Sequence, residues 1–75
     1  MRIEVPARTD ALWRNAQWRH QKLHECMERH GLALDDIREI TGATESTASM
    51  WLRPYGSSIG ASTLHSLVLT LNNRV

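Results

Sequence analysis

Histidine and cysteine side chains are concentrated between residues 20 and 30. His20 and His24 are one helical turn apart, as are Cys26 and His30, and imidazole and thiolate groups are common zinc ligands. On one helix the two pairs would point about 120° apart, because six residues advance the helix by about 600°. They therefore cannot enclose a single ion, and the sequence predicts neither a metal site nor any other cofactor.

Enzymatic chemistry is not indicated either. Cys26 falls on the inner margin of a predicted helix, where a cysteine usually packs as a small core residue. The serines cluster in turns and caps, which is their usual structural role. A chain of 75 residues also has little room for an enclosed, dry active site. We therefore expect a protein that is not an enzyme.

Length and composition indicate one folded domain. A content of 41% hydrophobic and 23% charged residues is typical of soluble globular proteins. The single cysteine excludes an internal disulfide, which fits a reducing compartment. No apolar run reaches membrane-spanning length, and the first residues do not resemble a signal peptide. We expect a cytoplasmic protein with no membrane partner.

The charges are unevenly distributed along the chain. The net charge is only +1, but residues 1–30 carry six basic and four acidic side chains, a balance of +2. Residues 31–54 carry two basic and four acidic side chains, a balance of −2. Because nucleic acids present dense rows of phosphate charge, any attraction to them would have to come from the N-terminal part of the chain.

Residues 1–9 are predicted to be a flexible N-terminal arm, followed by a helical domain over residues 10–75. Pro6 interrupts regular structure, and chain ends are often loosely ordered. Two other possibilities stay open. The arm could carry Arg2 and Arg8 onto a DNA backbone or minor groove, or it could form a short strand that pairs with its copy in a dimer.

A long first helix is predicted to run from Thr9 or Asp10, either of which can cap its start, to about residue 30, with Gly31 ending it. Its inward stripe has a spacing of three to four residues and comprises Leu12, Ala16, Leu23, Met27 and, at the margin, Trp13 and Cys26. Trp18 falls on the far side of a continuous helix. Because such a ring must be covered by something, either the helix breaks near Asn15 or Trp18 contacts a second chain.

Residues 34–53 have the pattern of two short helices joined by a tight turn. Leu34, Ile37 and Ile40 recur at helical spacing. Gly42 can close this helix because it adopts a positive φ without a Cβ clash. Thr44 is then a good N-cap for the second helix.

The flanking residues support the same two helices. The first lacks a good cap residue, and Asp35 and Asp36 partly compensate through the helix dipole. The second places Ala48 and Trp51 on one face, and Pro54 prevents it from continuing.

The last helix is predicted to begin with Ser62 as its cap and to end near residues 72–73. Four apolar side chains share one face of it: Leu64, Leu67, Val68 and Leu71. Leu69 lies off that face and is, with Trp18, a candidate dimer residue. The expected fold is therefore all-α, a compact bundle of about four helices with a central helix-turn-helix.

The stretch ITGATESTASMWL and the later STLHSLVLTL helix resemble the helix-turn-helix region of phage repressor and Cro-like regulators. The resemblance covers about residues 23–71 and is carried by five residues at the family's spacing: Ile37, Gly42, Ala43, Thr44 and Trp51. Two positions differ, since Arg38 stands where the family usually has a small residue and Ala48 where it usually has a β-branched one. The resemblance implies a lambda-repressor-like fold that binds double-stranded DNA as a homodimer.

The resemblance also implies which side chains would meet DNA. The groove-facing, base-reading positions fall on Glu45, Ser46, Ser49 and Met50. We expect phosphate contacts from Thr44, Arg53, Arg38 and Arg19.

These features predict a sequence-specific transcriptional regulator of phage or mobile-element origin, a repressor that binds an inverted-repeat operator as a dimer. The alternative is a protein-binding module on the same scaffold, such as a small inhibitor that masks a host factor. The acidic central segment and an exposed Trp18 favour this alternative.

Overall fold

Helices account for all the regular structure in the residues that the computed structural model describes, 2–54 and 57–74. A 3₁₀ turn at Ala11–Arg14 precedes helices α1 (Ala16–His30), α2 (Leu34–Thr41), α3 (Glu45–Leu52) and α4 (Ala61–Asn73). Helix α1 packs against α4 and α3, and α2 packs against α3 and α4. The prediction of an all-α bundle of about four helices is confirmed. None of the described helices is long and apolar enough to cross a membrane.

The predicted first helix is interrupted at Asn15. This residue has extended backbone angles, φ −86° and ψ 112°, and its side-chain oxygen accepts the N–H of Trp18 at 2.9 Å. Asn15 thus ends the 3₁₀ turn and caps α1, as asparagine commonly does. Of the two alternatives for Trp18, the break near Asn15 is the one that the structure contains.

The interruption changes which side chains face the core. Trp13 is fully buried, and its ring meets that of half-buried Trp18 edge to face at 5.0 Å between centroids. Leu12 and Ala16 are exposed, so their predicted inward positions were wrong. For Leu12 the physical reason is that a 3₁₀ turn followed by an extended residue does not keep the phase of a continuous α-helix. Ala16 is instead exposed as the first residue of α1.

Helices α2 and α3 are joined as predicted. Gly42 is left-handed at φ 75°, and its N–H bonds to the Arg38 carbonyl at 2.8 Å. Thr44 caps α3 by accepting the N–H of Thr47 at 3.3 Å. At the start of α2, the carboxylate of Asp36 accepts the N–H of Ala33 at 2.8 Å, which offsets the missing cap hydroxyl.

Helix α4 provides a large part of the core. The predicted apolar face is confirmed, since all four of its members are fully buried: Leu64, Leu67, Val68 and Leu71. Leu69 is 50% exposed, as its position predicted. The predicted cap at Ser62 was wrong, because the helix begins after Gly60 without a side-chain cap.

The described part of the predicted arm is anchored to the core. Ile3 is 1% exposed, and Val5 packs against the core cluster. The side chain of Asn72 accepts the N–H of Ile3 at 2.7 Å and donates to its carbonyl at 3.0 Å. This differs from the flexible arm predicted over residues 1–9, because a sequence-local pattern does not reveal a partner 69 residues away. The described residues of the arm form no strand.

Replacing Asn72 with Ala should release the N-terminal segment. The change removes both side-chain hydrogen bonds to Ile3, which predicts a loss of about 1–3 kcal/mol in the free energy of unfolding. Trypsin should also cleave faster after Arg2, which is next to the released Ile3. Denaturant unfolding and timed proteolysis measure the two effects, with exposed Asn73→Ala as the control. Equal stability and cleavage rates in the two variants would contradict the anchoring role.

Candidate nucleic-acid interface

The outward face of α3 carries the four predicted base-reading side chains together. These four side chains are Glu45, Ser46, Ser49 and Met50. Together with Arg53 they line one shallow, open depression of about 420 Å³. The opposite face of α3 holds Ala48 and Trp51 in the core. The helix therefore has one buried face and one face that is available to a partner. We call this surface the α3 depression.

The α3 depression offers varied contacts. Glu45 supplies a carboxylate acceptor, the two serines supply hydroxyls, and Met50 is 40% exposed. Among the described residues, neither Glu45 nor exposed Arg53 forms an ion pair within the chain. Both charges face solvent and remain able to meet groups on a partner.

The side chains predicted to contact phosphate have different surroundings. Thr44 is exposed, but its hydroxyl accepts the Thr47 N–H and donates to the Thr47 hydroxyl at 3.1 Å, so it serves first as the cap of α3. Arg38 is half-buried, with its Nη1 3.3 Å from the carboxylate of Asp35. Arg53 is the only one of the four predicted phosphate ligands that lines the α3 depression.

Arg19 bonds to groups within the chain, whereas it was predicted to contact DNA phosphate. Its Nε donates to the Ile59 carbonyl at 2.8 Å, its Nη1 to the Trp13 carbonyl at 2.7 Å, and its Nη2 to the Ser58 hydroxyl at 3.0 Å. Three of the guanidinium's five N–H donors are therefore used within the chain. Arg19 joins α1 to the 3₁₀ turn and to the segment that precedes α4.

The two candidate dimer residues, Trp18 and Leu69, differ in their exposure to solvent. Trp18 is half-buried against Trp13, and the Nζ of Lys22 lies 5.8 Å from its ring centroid. The ring is thus partly covered within its own chain. Leu69 stays half exposed on α4. Of the two candidates, only Leu69 is exposed to solvent.

His20, His24 and Cys26 make packing and hydrogen-bond contacts within the chain. The Nδ1 of His20 lies 3.2 Å from the Trp51 carbonyl and ties α1 to the end of α3, while its ring meets that of His24 at 4.5 Å between centroids. Cys26 is fully buried. Desolvation by burial, with a smaller effect of Glu25, raises the pKa of its thiol to about 11. The thiol is therefore protonated at neutral pH and packs as a core residue.

A second depression, which the sequence analysis did not predict, lies beside α3. It has a volume of about 450 Å³, and its described lining joins the start of α1 to the segment after α3: Ala16, Gln17, His20, Gln21, Arg53, Pro54, Ser57 and Ser58. We call it the α1 depression. In the sequence, the only indication of the α1 depression was Gln17 and Gln21, which are one helical turn apart. The surface that these side chains face depends on the break at Asn15.

Comparisons with protein-family models, with curated proteins and with solved structures find no match to this chain.

Replacing Arg19 with Ala should destabilise the fold. The variant loses three hydrogen bonds from a charged, half-buried group, which predicts a decrease of about 2 kcal/mol in the free energy of unfolding. Exposed Arg14→Ala removes the same charge from the 3₁₀ turn and should change stability by less than about 0.5 kcal/mol. Urea unfolding of both variants tests this. Similar stability of both would show that Arg19 is not a structural clamp.

Proposed function

We propose that this protein is a sequence-specific DNA-binding transcriptional regulator whose α2–α3 unit is a helix-turn-helix. The observation that carries the proposal is the position of Glu45, Ser46, Ser49 and Met50 on one open surface of α3. Helix α3 has a capped start, a three-residue connection to α2 and a buried opposite face. A helix held in this way can enter a major groove and bring its outward side chains to the base edges.

Base reading by this surface would depend on small polar contacts. Glu45 would accept a hydrogen bond from the N4 amino group of cytosine, and Ser46 and Ser49 would bond to bases or phosphates. Met50 would contact a thymine methyl group. Because Glu45 is the only charged one of these four residues, discrimination would come mainly from hydrogen bonds and shape.

The weak charge of α3 makes a dimer part of the proposal. Arg53 is the only basic residue in the described lining of the α3 depression. A homodimer doubles every contact and makes the second binding event intramolecular. Two copies of α3 would then meet successive major grooves of an inverted repeat, about one helical turn apart. Leu69, which is 50% exposed, is the proposed dimer residue.

The regulator would act as a cytoplasmic repressor by occupying its operator. This role, and an origin in a phage or mobile element, rest on the resemblance of ITGATESTASMWL to repressor and Cro-like proteins. A protein-binding module is the second candidate, and one observation favours it: the carboxylate of Glu45 and the 40% exposed Met50 line the same depression. An acidic group and an apolar one on a single surface suit a protein partner as well as a base edge.

Selection from randomised duplex DNA at low and then physiological salt tests the proposed function. We expect enrichment of an inverted repeat with half-sites about 10 base pairs apart. Glu45→Gln and Ser46→Ala should each relax the preference at particular base pairs by about 1–3 kcal/mol while binding elsewhere is retained. Thr63→Ala on α4, outside the α3 depression, is the control.

Two results would overturn the proposal. One is that no sequence is enriched by a protein that stays folded. The other is that both variants lose affinity equally for every sequence. A partner captured from lysate equally well with and without nuclease would then make the protein-binding function the better account.

A further inference from the structure

The α1 depression adjoins the α3 depression. Arg53 lines both, so one surface continues from the outward face of α3 onto the start of α1. Gln17 and Gln21 are exposed and one turn apart on the α1 side, and Ser57 is exposed on the opposite side. These residues lie outside the helix-turn-helix.

The charges of the two depressions differ. The α3 depression contains the carboxylate of Glu45, whereas none of the described residues that line the α1 depression is acidic. Arg53 contributes a guanidinium to the α1 depression. A second one lies next to it, because Arg19 donates to the hydroxyl of Ser58, a lining residue. The surroundings therefore favour an anion.

The polar groups of the α1 depression can act as donors. Each glutamine has an amide NH₂ group, and the Ser58 hydroxyl, which accepts from Arg19, can direct its own hydrogen outward. His20 is oriented by the Trp51 carbonyl, 3.2 Å from its Nδ1, and forms part of the wall. Glutamine, serine and arginine side chains are common donors to the phosphate oxygens of DNA.

We infer that the α1 depression binds a phosphate of the DNA backbone beside the groove entered by α3. Gln17 and Gln21 donate to its oxygens, and Arg53 pairs with its charge. This inference rests on the proposed function and adds a positioning contact to it. Such a contact holds the register of α3 without reading sequence. It also places the backbone on the N-terminal part of the chain, where residues 1–30 carry a balance of +2.

Binding of the selected duplex by α1 variants tests the inference. Gln17→Ala combined with Gln21→Ala should reduce affinity about tenfold for all sequences and leave the salt dependence unchanged, because the lost groups are neutral donors to a charged phosphate. Arg53→Ala should also reduce the slope of log affinity against log salt by about 1. Gln21→Lys should increase affinity and steepen the slope by about 1. Exposed Asn73→Ala, at the far end of α4, is the matched amide control.

The outcomes separate this inference from the proposed function. If the wild-type protein binds no duplex, both are overturned. If it selects an inverted repeat, but the double alanine variant and Gln21→Lys both match the wild type in affinity and slope, only the phosphate contact is overturned. A loss confined to particular base sequences would also overturn it, because a backbone contact weakens all sequences alike. Circular dichroism of each variant confirms that the helices are retained.

Discussion

The break at Asn15 determines how the rest of the chain is arranged. A single asparagine ends the 3₁₀ turn and caps α1, with its side-chain oxygen 2.9 Å from the N–H of Trp18. The changed direction buries Trp13, whose indole N–H then bonds to the carbonyls of Pro6 and Ala7 at 3.3 and 3.0 Å. Buried tryptophans need such a partner. The same indole thus fixes the N-terminal segment to the bundle.

The direction of α1 also sets the surface beside α3. Arg19 points inward and bonds to Ile59, His20 reaches the Trp51 carbonyl at the end of α3, and the two glutamines stay exposed. One turn of helix therefore joins three segments of the chain. In the proposed complex the two surfaces would have different roles. A near-neutral α3 face would meet the bases closely, while neutral and positive groups beside it would hold the backbone.

The elements that could be predicted from the sequence depend on short-range chemistry. Gly42 needs only its own freedom at positive φ, Thr44 reaches three residues ahead, and the apolar face of α4 repeats within one helix. The grouping of the predicted base-reading positions on one side of α3 also follows from helical spacing. Each of these features is local, and each is present in the structure.

The features that could not be predicted depend on distant partners. Ile3 is anchored by Asn72, and Arg19 bonds to Ile59, 40 residues away. No periodic pattern encodes these contacts. The sequence therefore predicted a flexible arm where the N-terminal segment is anchored, and a surface charge where Arg19 bonds within the chain. Leu12 was misplaced for a different reason, because one extended residue at Asn15 shifted the helical phase.

In the proposed complex, DNA meets the outward face of α3. Amide chemical-shift changes in isotope-labelled protein, on adding a mixed-sequence duplex at low salt, identify the contacted surface without knowledge of the operator, because low salt favours non-specific binding. We expect the largest changes at residues 44–50, with a second group at residues 17–21. Changes centred on α4 around Leu69 with α3 unaffected, or no changes at all, would show that α3 is not the DNA-binding helix.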